Sequence, residues 1–442
     1  MRPLYFIFKI IISYSIFLFF KKKKIVNAPR SFYAQTIFVV NHSSAFLDPW
    51  VIAQQQNPIL FFLTRGDIFK KWLLPFTWAT HLIPIFRTRE DGADSSKKNE
   101  GTFKEVNRLL KKKKSILIFG EGYTDDVFIR SLKSLKKGPA RIGFGAMESS
   151  NWEDDIKIQC SGINYADPNE FRSEVLIANS EVIHLKDYKD QYIENPSKAI
   201  NDLTKEITDL LRAQLTYLED AKLTDFHNQI QAITKQGIAH ENNNKQVTLE
   251  KRWRYSQKLA TYINQNYSEE NTGWQNLKTN LSNYFNQIKT ENIKDNWILN
   301  FGENKSSNLI LRWLIISISA PIFLLGAFHF AIPYKLTKNF IEKTFKRRVF
   351  WSGIKMMMGY LTLALFNIIL CFVLNSIFNI TENYIIWLYI IFITPFIGLF
   401  SYWYLTYFKD TISLSKISDQ TYKKCLKTRE NCVELIKNQI TL

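Results

Sequence analysis

Asn41-His42-Ser43-Ser44-Ala45-Phe46-Leu47-Asp48-Pro49 follows directly on the apolar run Thr36-Ile37-Phe38-Val39-Val40. A short run of β-branched and aromatic residues reads as a buried strand, so Asn41 and His42 stand where that strand ends. The carboxyl end of a strand is where α/β sheets expose reactive groups. A histidine there, with a carboxylate six positions on, has the parts of a general base. The carboxylate would fix the imidazole tautomer and stabilise the imidazolium that forms on taking a proton. The plainer alternative is a strand-end histidine held by a neighbouring backbone group, and this stretch alone leaves both open.

Outward from it, residues 31–184 read as short apolar strands at 36–40, 59–63, 81–86, 115–119, 156–163 and 174–178, separated by helical stretches. That alternation predicts an α/β fold, a sheet covered by helices. Three more polar groups fall at or just past strand ends. Arg87 and Arg89 follow Ile83-Pro84-Ile85-Phe86 and offer planar forks to a phosphate or carboxylate. Gly120-Glu121-Gly122 follows the strand at 115–119, where two glycines permit a close-approach turn with inward N–H groups. Asp125-Asp126 behind it argues against this loop holding a phosphate alone. Lys137 and Arg141, flanking Gly138-Pro139-Ala140, and Arg172 before Glu174 are further cations that a site could use. Taken singly, each reads first as a surface residue.

The chain has 442 residues, enough for two or three units, with a net charge of +18 and 34 Phe, 20 Tyr and 11 Trp. A basic, aromatic chain suits an anionic membrane surface or nucleic acid. No zinc spacing, RNP-like pattern or basic heptad helix is present, which excludes the usual nucleic-acid modules. Cys160, Cys371, Cys425 and Cys432 are scattered and read as free thiols in a reducing compartment, without a metal site.

Residues 3–20 are almost wholly apolar and stop at Lys21-Lys22-Lys23-Lys24 without a small-residue cleavage site, so 1–24 is expected to be an anchor. Spanning takes roughly 20 apolar residues; the segment either crosses or lies in one leaflet, its lysines against headgroups on the cytoplasmic side. From 191 to 304 the composition turns to Lys, Asn, Gln, Glu and Thr, with Ile200, Leu203, Ile207, Leu210, Leu211, Leu215 and Leu218 at helical spacing. This predicts a helical accessory domain, with His227 and His240 on its surface. A membrane region is expected over 305–410: a hairpin at 309–334 broken at Pro321, where His329 serves packing, then spans at 356–378 and 385–408. The basic run after Lys335 and the Lys-rich tail at 411–442 put both on the cytoplasmic side, with 379–383 outside.

Taken together, the four blocks between about residue 30 and 185 resemble the glycerolipid acyltransferase superfamily. Asn41-His42 with Asp48 resembles its first motif, Ile83-Pro84 with Arg87 its second, Phe119-Gly120-Glu121-Gly122 its third, and the strand near Ile158–Ile163 falls where the fourth belongs. Five residues rather than four separate His42 from Asp48, Gly120 replaces a proline, and Tyr123-Thr124-Asp125 replaces Thr-Arg-Ser. The last two changes, Lys137-Gly138-Pro139-Ala140, and Asn164-Tyr165 with Phe171-Arg172-Ser173 resemble the glycerol-3-phosphate/dihydroxyacetone-phosphate acyltransferase branch. The resemblance implies an acyltransferase-type mixed sheet and catalysis by His42, with Asp48 as orienter. It also implies Arg87, Glu121 and Gly122 at the acceptor, where Lys137 and Arg172, by their position, are expected to add charge. The implied reaction moves a fatty acyl group from acyl-CoA or acyl-carrier protein to glycerol-3-phosphate, without cofactor or metal. The catalytic domain at 25–190 would face the cytoplasm, with a bacterial inner membrane preferred. Acylation of 1-acylglycerol-3-phosphate, or a non-catalytic membrane scaffold on a degenerate fold, remain the alternatives.

Overall fold

The computed structural model describes residues 3–29, 35–55, 60–86, 92, 95–239, 246–300, 305–378 and 383–441. Two compact units emerge: Met1–Ala221 with Thr248–Trp253 and Arg347–Ser352, and Lys222–Val247 with Arg254–Lys346 and Gly353–Leu442.

The first unit is built on β1 (Lys22–Val26), β2 (Thr36–Val40), β3 (Leu60–Arg65), β4 (Leu82–Ile85), β5 (Ser115–Phe119), β6 (Lys157–Tyr165) and β7 (Glu174–His184). Their order is β1-β7-β6-β2-β5-β3-β4. β6 and β7 run antiparallel and the other pairs parallel, so the expected α/β class is a mixed sheet. Helices α1 (Pro3–Phe19), α2 (Leu47–Ile52) and α3 (Leu74–Ala79), with Ser95–Lys111, Gly138–Ser149 and Pro196–Ala213, flank it. All five residues of β2 are buried, as a parallel strand covered on both faces requires. β2 pairs with β5 through Val40 and Phe119 and with β6 through Val40 and Ser161. The chain order reverses at β2, which makes its carboxyl end the crevice of the sheet.

The lysine block departs from expectation. Lys22–Val26 is an edge strand paired in parallel with β7, not only a cationic collar. Lysines carry no strand signal of their own; β7 supplies the pairing edge, and their charge blocks further strand addition. The helix Pro196–Ala213 buries Ala199, Leu203, Ile207 and Leu211 and lies on β6, where the Cys160 thiol meets the Ile207 carbonyl at 3.4 Å.

The second unit is helical. His227 is fully buried, contrary to its expected surface place. Its Nε2–H donates to the Ser256 carbonyl (3.0 Å), while Gln231 donates to Nδ1 (2.7 Å), a pairing that satisfies both ring nitrogens. The predicted break at Pro321 is absent: Lys305–Thr344 is one helix with Pro321 and Pro333 inside it. A proline removes one helical hydrogen bond, but breaking an apolar helix outright would strand several more backbone groups. Asn308–Thr344, Arg348–Ile377 and Tyr384–Lys416 are each long and apolar enough to cross a membrane.

The first and third of these pair antiparallel. Arg312 donates to Thr411 Oγ1 (2.8 Å) and the Tyr407 carbonyl (3.2 Å), and Phe323 stacks on Tyr404 at 4.3 Å. At Gly398 any Cβ would come within 2.9 Å of the Phe330 ring. His329 is buried, its Nδ1 on Asn367 Oδ1 and its Nε2 taking the Tyr389 hydroxyl (2.8 Å).

Candidate active site

Asn41 sets the frame. Its side-chain amide donates to the Ile163 carbonyl (3.2 Å) and accepts the Ile163 N–H (2.8 Å), extending the β2–β6 ladder past the end of the strand. The next residue, His42, leaves a pinned backbone. Its N–H donates to Glu121 Oε1 (2.7 Å), and its ring stacks on Phe119 with centroids 4.0 Å apart and planes 15° apart.

His42 Nδ1 lies 2.8 Å from Asp48 Oδ2. The longer loop between them turns through a left-handed residue, Ala45 at φ 42°, and closes with Leu47 N–H donating to the Ser44 carbonyl (2.9 Å). Asp48 is 0 % exposed. A buried carboxylate is costly unless hydrogen-bonded. This one accepts three bonds: from the His42 ring, from Ser44 N–H to Oδ2 (2.8 Å), and from the Tyr165 hydroxyl to Oδ1 (2.8 Å). Burial first, and then the Asp48 charge, hold the Tyr165 phenol well above its ordinary value, so it remains a donor. The imidazole is thereby set as the Nδ1–H tautomer, with Nε2 left to accept a proton. The His42 side chain keeps 19 % of its exposure.

Glu121 is buried, and both its oxygens are engaged by backbone: Oε1 by His42, Oε2 by Lys133 N–H (3.2 Å). Burial raises its carboxyl above the usual range against the pull of those two donors and of the Lys133 charge. Gly122 has φ 81°, a left-handed turn that disfavours a side chain. Gly120 N–H donates to the Val40 carbonyl (3.2 Å), a bond the proline of the resembled motif could not make. Lys136 N–H donates back to the Gly120 carbonyl (2.9 Å). Lys137, exposed, precedes the helix Gly138–Ser149.

Arg172 takes another position. Its guanidinium donates to the Leu18 carbonyl (3.1 Å) and its N–H to the Phe19 carbonyl (2.7 Å), closing the carboxyl end of α1, where a cation is favoured. Arg87 and Arg89 lie outside the described residues, as does His240. A cavity of about 20 Å³ lies among Asn41, Ser43, Arg130, Asn164 and Tyr165; it has room for about one water, not a substrate.

Two contributors escape a sequence reading. Tyr165 stands in the quoted string Asn164-Tyr165, but nothing local points it at Asp48, 117 positions away. Arg347 reads as one cation in a basic run, yet it donates to the Thr124 carbonyl (2.7 Å) and pairs with Asp126, strapping the chain that follows Gly122. Among the described residues no group of His, Cys, Asp or Glu is placed to hold a metal ion.

Residues 21–158 match the family model described as Acyltransferase, so this part of the chain carries an acyltransferase domain. The match contains the His42–Asp48 pair and the Glu121 loop. Comparison with the curated proteins and with the solved structures found no match.

Proposed function

We propose that this chain transfers a fatty acyl group from an acyl thioester to the hydroxyl of glycerol-3-phosphate, in lipid synthesis at a membrane. The observation that supports the reading best is the buried Asp48 carboxylate on His42 Nδ1, which leaves Nε2 as the base. The acceptor hydroxyl gives its proton to Nε2 as its oxygen attacks the thioester carbon. The tetrahedral intermediate expels the thiolate, and the imidazolium returns the proton to it. His42 is then free for another turnover, with no covalent enzyme intermediate. Cys160 is no rival nucleophile: burial pushes its thiol up to about 12. Acyl-CoA or acyl-carrier protein is the co-substrate, and Arg87 with Lys137 provides charge for the acceptor phosphate.

An assay on membranes holding the protein tests this, with labelled acyl donor offered alongside glycerol-3-phosphate, dihydroxyacetone phosphate or 1-acylglycerol-3-phosphate. Ester on glycerol-3-phosphate is expected to dominate; dominance of the lysolipid would move the enzyme to the second acylation, and no ester on any acceptor would remove the reading. Arg87→Ala is expected to raise the acceptor KM about tenfold, in keeping with the loss of one charge-assisted contact, with little change in the donor KM. Equal effects on both would take Arg87 out of the acceptor site.

Tyr165→Phe keeps the ring and removes one donor to Asp48. The expected loss in kcat is about tenfold, the scale of one hydrogen bond to a charged group. With one donor fewer, Asp48 holds the His42 ring less firmly, so the loss is expected in kcat with the acceptor KM unmoved. A KM that moves with kcat would make Tyr165 a packing residue only.

A further inference from the structure

Where the helix Lys305–Thr344 gives way to Trp351–Phe378, residues Arg347–Ser352 belong to the first unit. Val349 and Ser352 are buried there. The Ser352 hydroxyl donates to Asn169 Oδ1 (2.8 Å), which satisfies a polar group that burial would otherwise penalise. The stretch has a fixed seat.

From that seat it touches both loops that frame His42. The Arg347 guanidinium donates to the Thr124 carbonyl (2.7 Å) and pairs with Asp126, both in the chain leaving Gly122. The same guanidinium lies over the Phe350 ring, 4.9 Å from its centroid. Phe350 in turn meets Phe46 at 5.5 Å, within the loop that carries His42 to Asp48. The two loops already meet through His42 N–H and Glu121; Arg347 and Phe350 join them a second time.

The charges matter as much as the contacts. Asp125 and Asp126 come within five residues of Glu121 and would repel an anion brought to His42. Neither is left bare. Lys133 Nζ pairs with Asp125 at 2.7 Å and lies 3.9 Å from the Tyr123 ring centroid. Arg347 pairs with Asp126 from 221 positions away.

We propose that Arg347 is a positioning residue of the acyl-transfer site. It holds the chain after Gly122 and cancels Asp126, so that an acceptor carrying a phosphate can approach His42. This role rests on the reaction proposed above. Arg347 lies far outside residues 21–158, so a part of the chain beyond the acyltransferase domain completes the site.

Kinetics on membranes holding the full chain test the charge. Arg347→Ala is expected to raise the glycerol-3-phosphate KM about fivefold, the upper end of what a surface ion pair contributes, with the acyl-CoA KM unmoved. Asp126→Asn added to that variant is expected to return most of the loss, which a packing role could not do. An acceptor KM that stays put, or that Asp126→Asn fails to return, overturns the proposal. A nitroxide on Val127→Cys tests the hold without turnover, since Val127 is exposed and the native cysteines are buried. Its spectrum is expected to sharpen in Arg347→Ala; an unchanged line shape also overturns the proposal. Should that variant fail to fold, Arg347→Lys keeps the charge and loses the planar fork. It is expected to hold the KM and still sharpen the spectrum, and an unchanged spectrum there counts against the proposal in the same way. A wild type that esterifies no acceptor overturns the reaction and this role together; failure of the proposal alone leaves the wild type active.

Discussion

His42→Ala is expected to lower acyl transfer by about 10²–10⁴-fold, the usual contribution of a positioned general base, while the protein stays folded and membrane-bound. The fold should survive because the tie at this position runs through the backbone: His42 N–H to Glu121 and the Asn41 amide to Ile163. The ring contributes its stack on Phe119 and its bond to Asp48. Asp48 in the variant loses one donor but keeps Ser44 and Tyr165. The checks are the rate of ester formation on membranes and the thermal midpoint of the purified protein. Activity close to wild type would refute the assignment of His42 as base. Loss of both activity and fold would instead show the ring to be structural, a result that His42→Gln, which retains a polar side chain, would help to separate.

Asp295→Ala is expected to cost the second unit about 3–5 kcal/mol, the scale on which breaking a buried ion pair destabilises a protein. Asp295 is 0 % exposed. It accepts from Arg429 Nε at 2.8 Å and from the Tyr284 hydroxyl at 2.5 Å, and Lys235 Nζ lies 2.5 Å from its other oxygen. Without the carboxylate, buried Arg429 faces Lys235 across an uncompensated gap. The pH dependence follows from the same geometry. Burial alone would raise the Asp295 carboxyl, but the Lys235 charge and the hydrogen bonds of Arg429, Lys235 and Tyr284 outweigh it and hold it below the ordinary value. A carboxyl depressed on folding contributes stability above its unfolded pKa, and that contribution is lost as pH falls through the folded value. Unfolding in detergent, followed across the acid range, should show the wild type losing stability toward low pH and Asp295→Ala losing less. Parallel curves would mean that other groups carry the acid sensitivity.

The catalytic core is legible where local pattern and burial agree. β2 and β5 are apolar runs of five that end at the residues expected, and the His42–Asp48 pair is close in sequence as well as in space. Pairing that depends on distant partners is not legible. β1 is written in lysine and becomes a strand because β7 offers an edge; Tyr165 reaches Asp48 from a different strand; Arg347 reaches Thr124 from 223 positions away. Arg172 shows the converse. A cation beside a recognised string invites a substrate role, yet its hydrogen bonds run to the end of α1. His227 and Pro321 depart for a third reason: polarity and helix-breaking tendency are weak preferences that a satisfied hydrogen-bond pair or a continuous apolar helix overrides.

The antiparallel pairing of Lys305–Thr344 with Thr394–Lys416 bears on how this chain enters a bilayer. Arg312 meets Thr411, so the tail leaves from the end at which the first helix begins. Residues 335–348, with six Lys and Arg, lie toward its far end, and residues 409–442 carry seven. If the pair crosses, those two cationic segments emerge on opposite faces. The preference of positive charge for the cytoplasm then pulls in both senses, six cations against seven, and nearly cancels. Which way the pair threads is left to whatever is already folded ahead of it, the amino-terminal residues that leave the ribosome before either helix does.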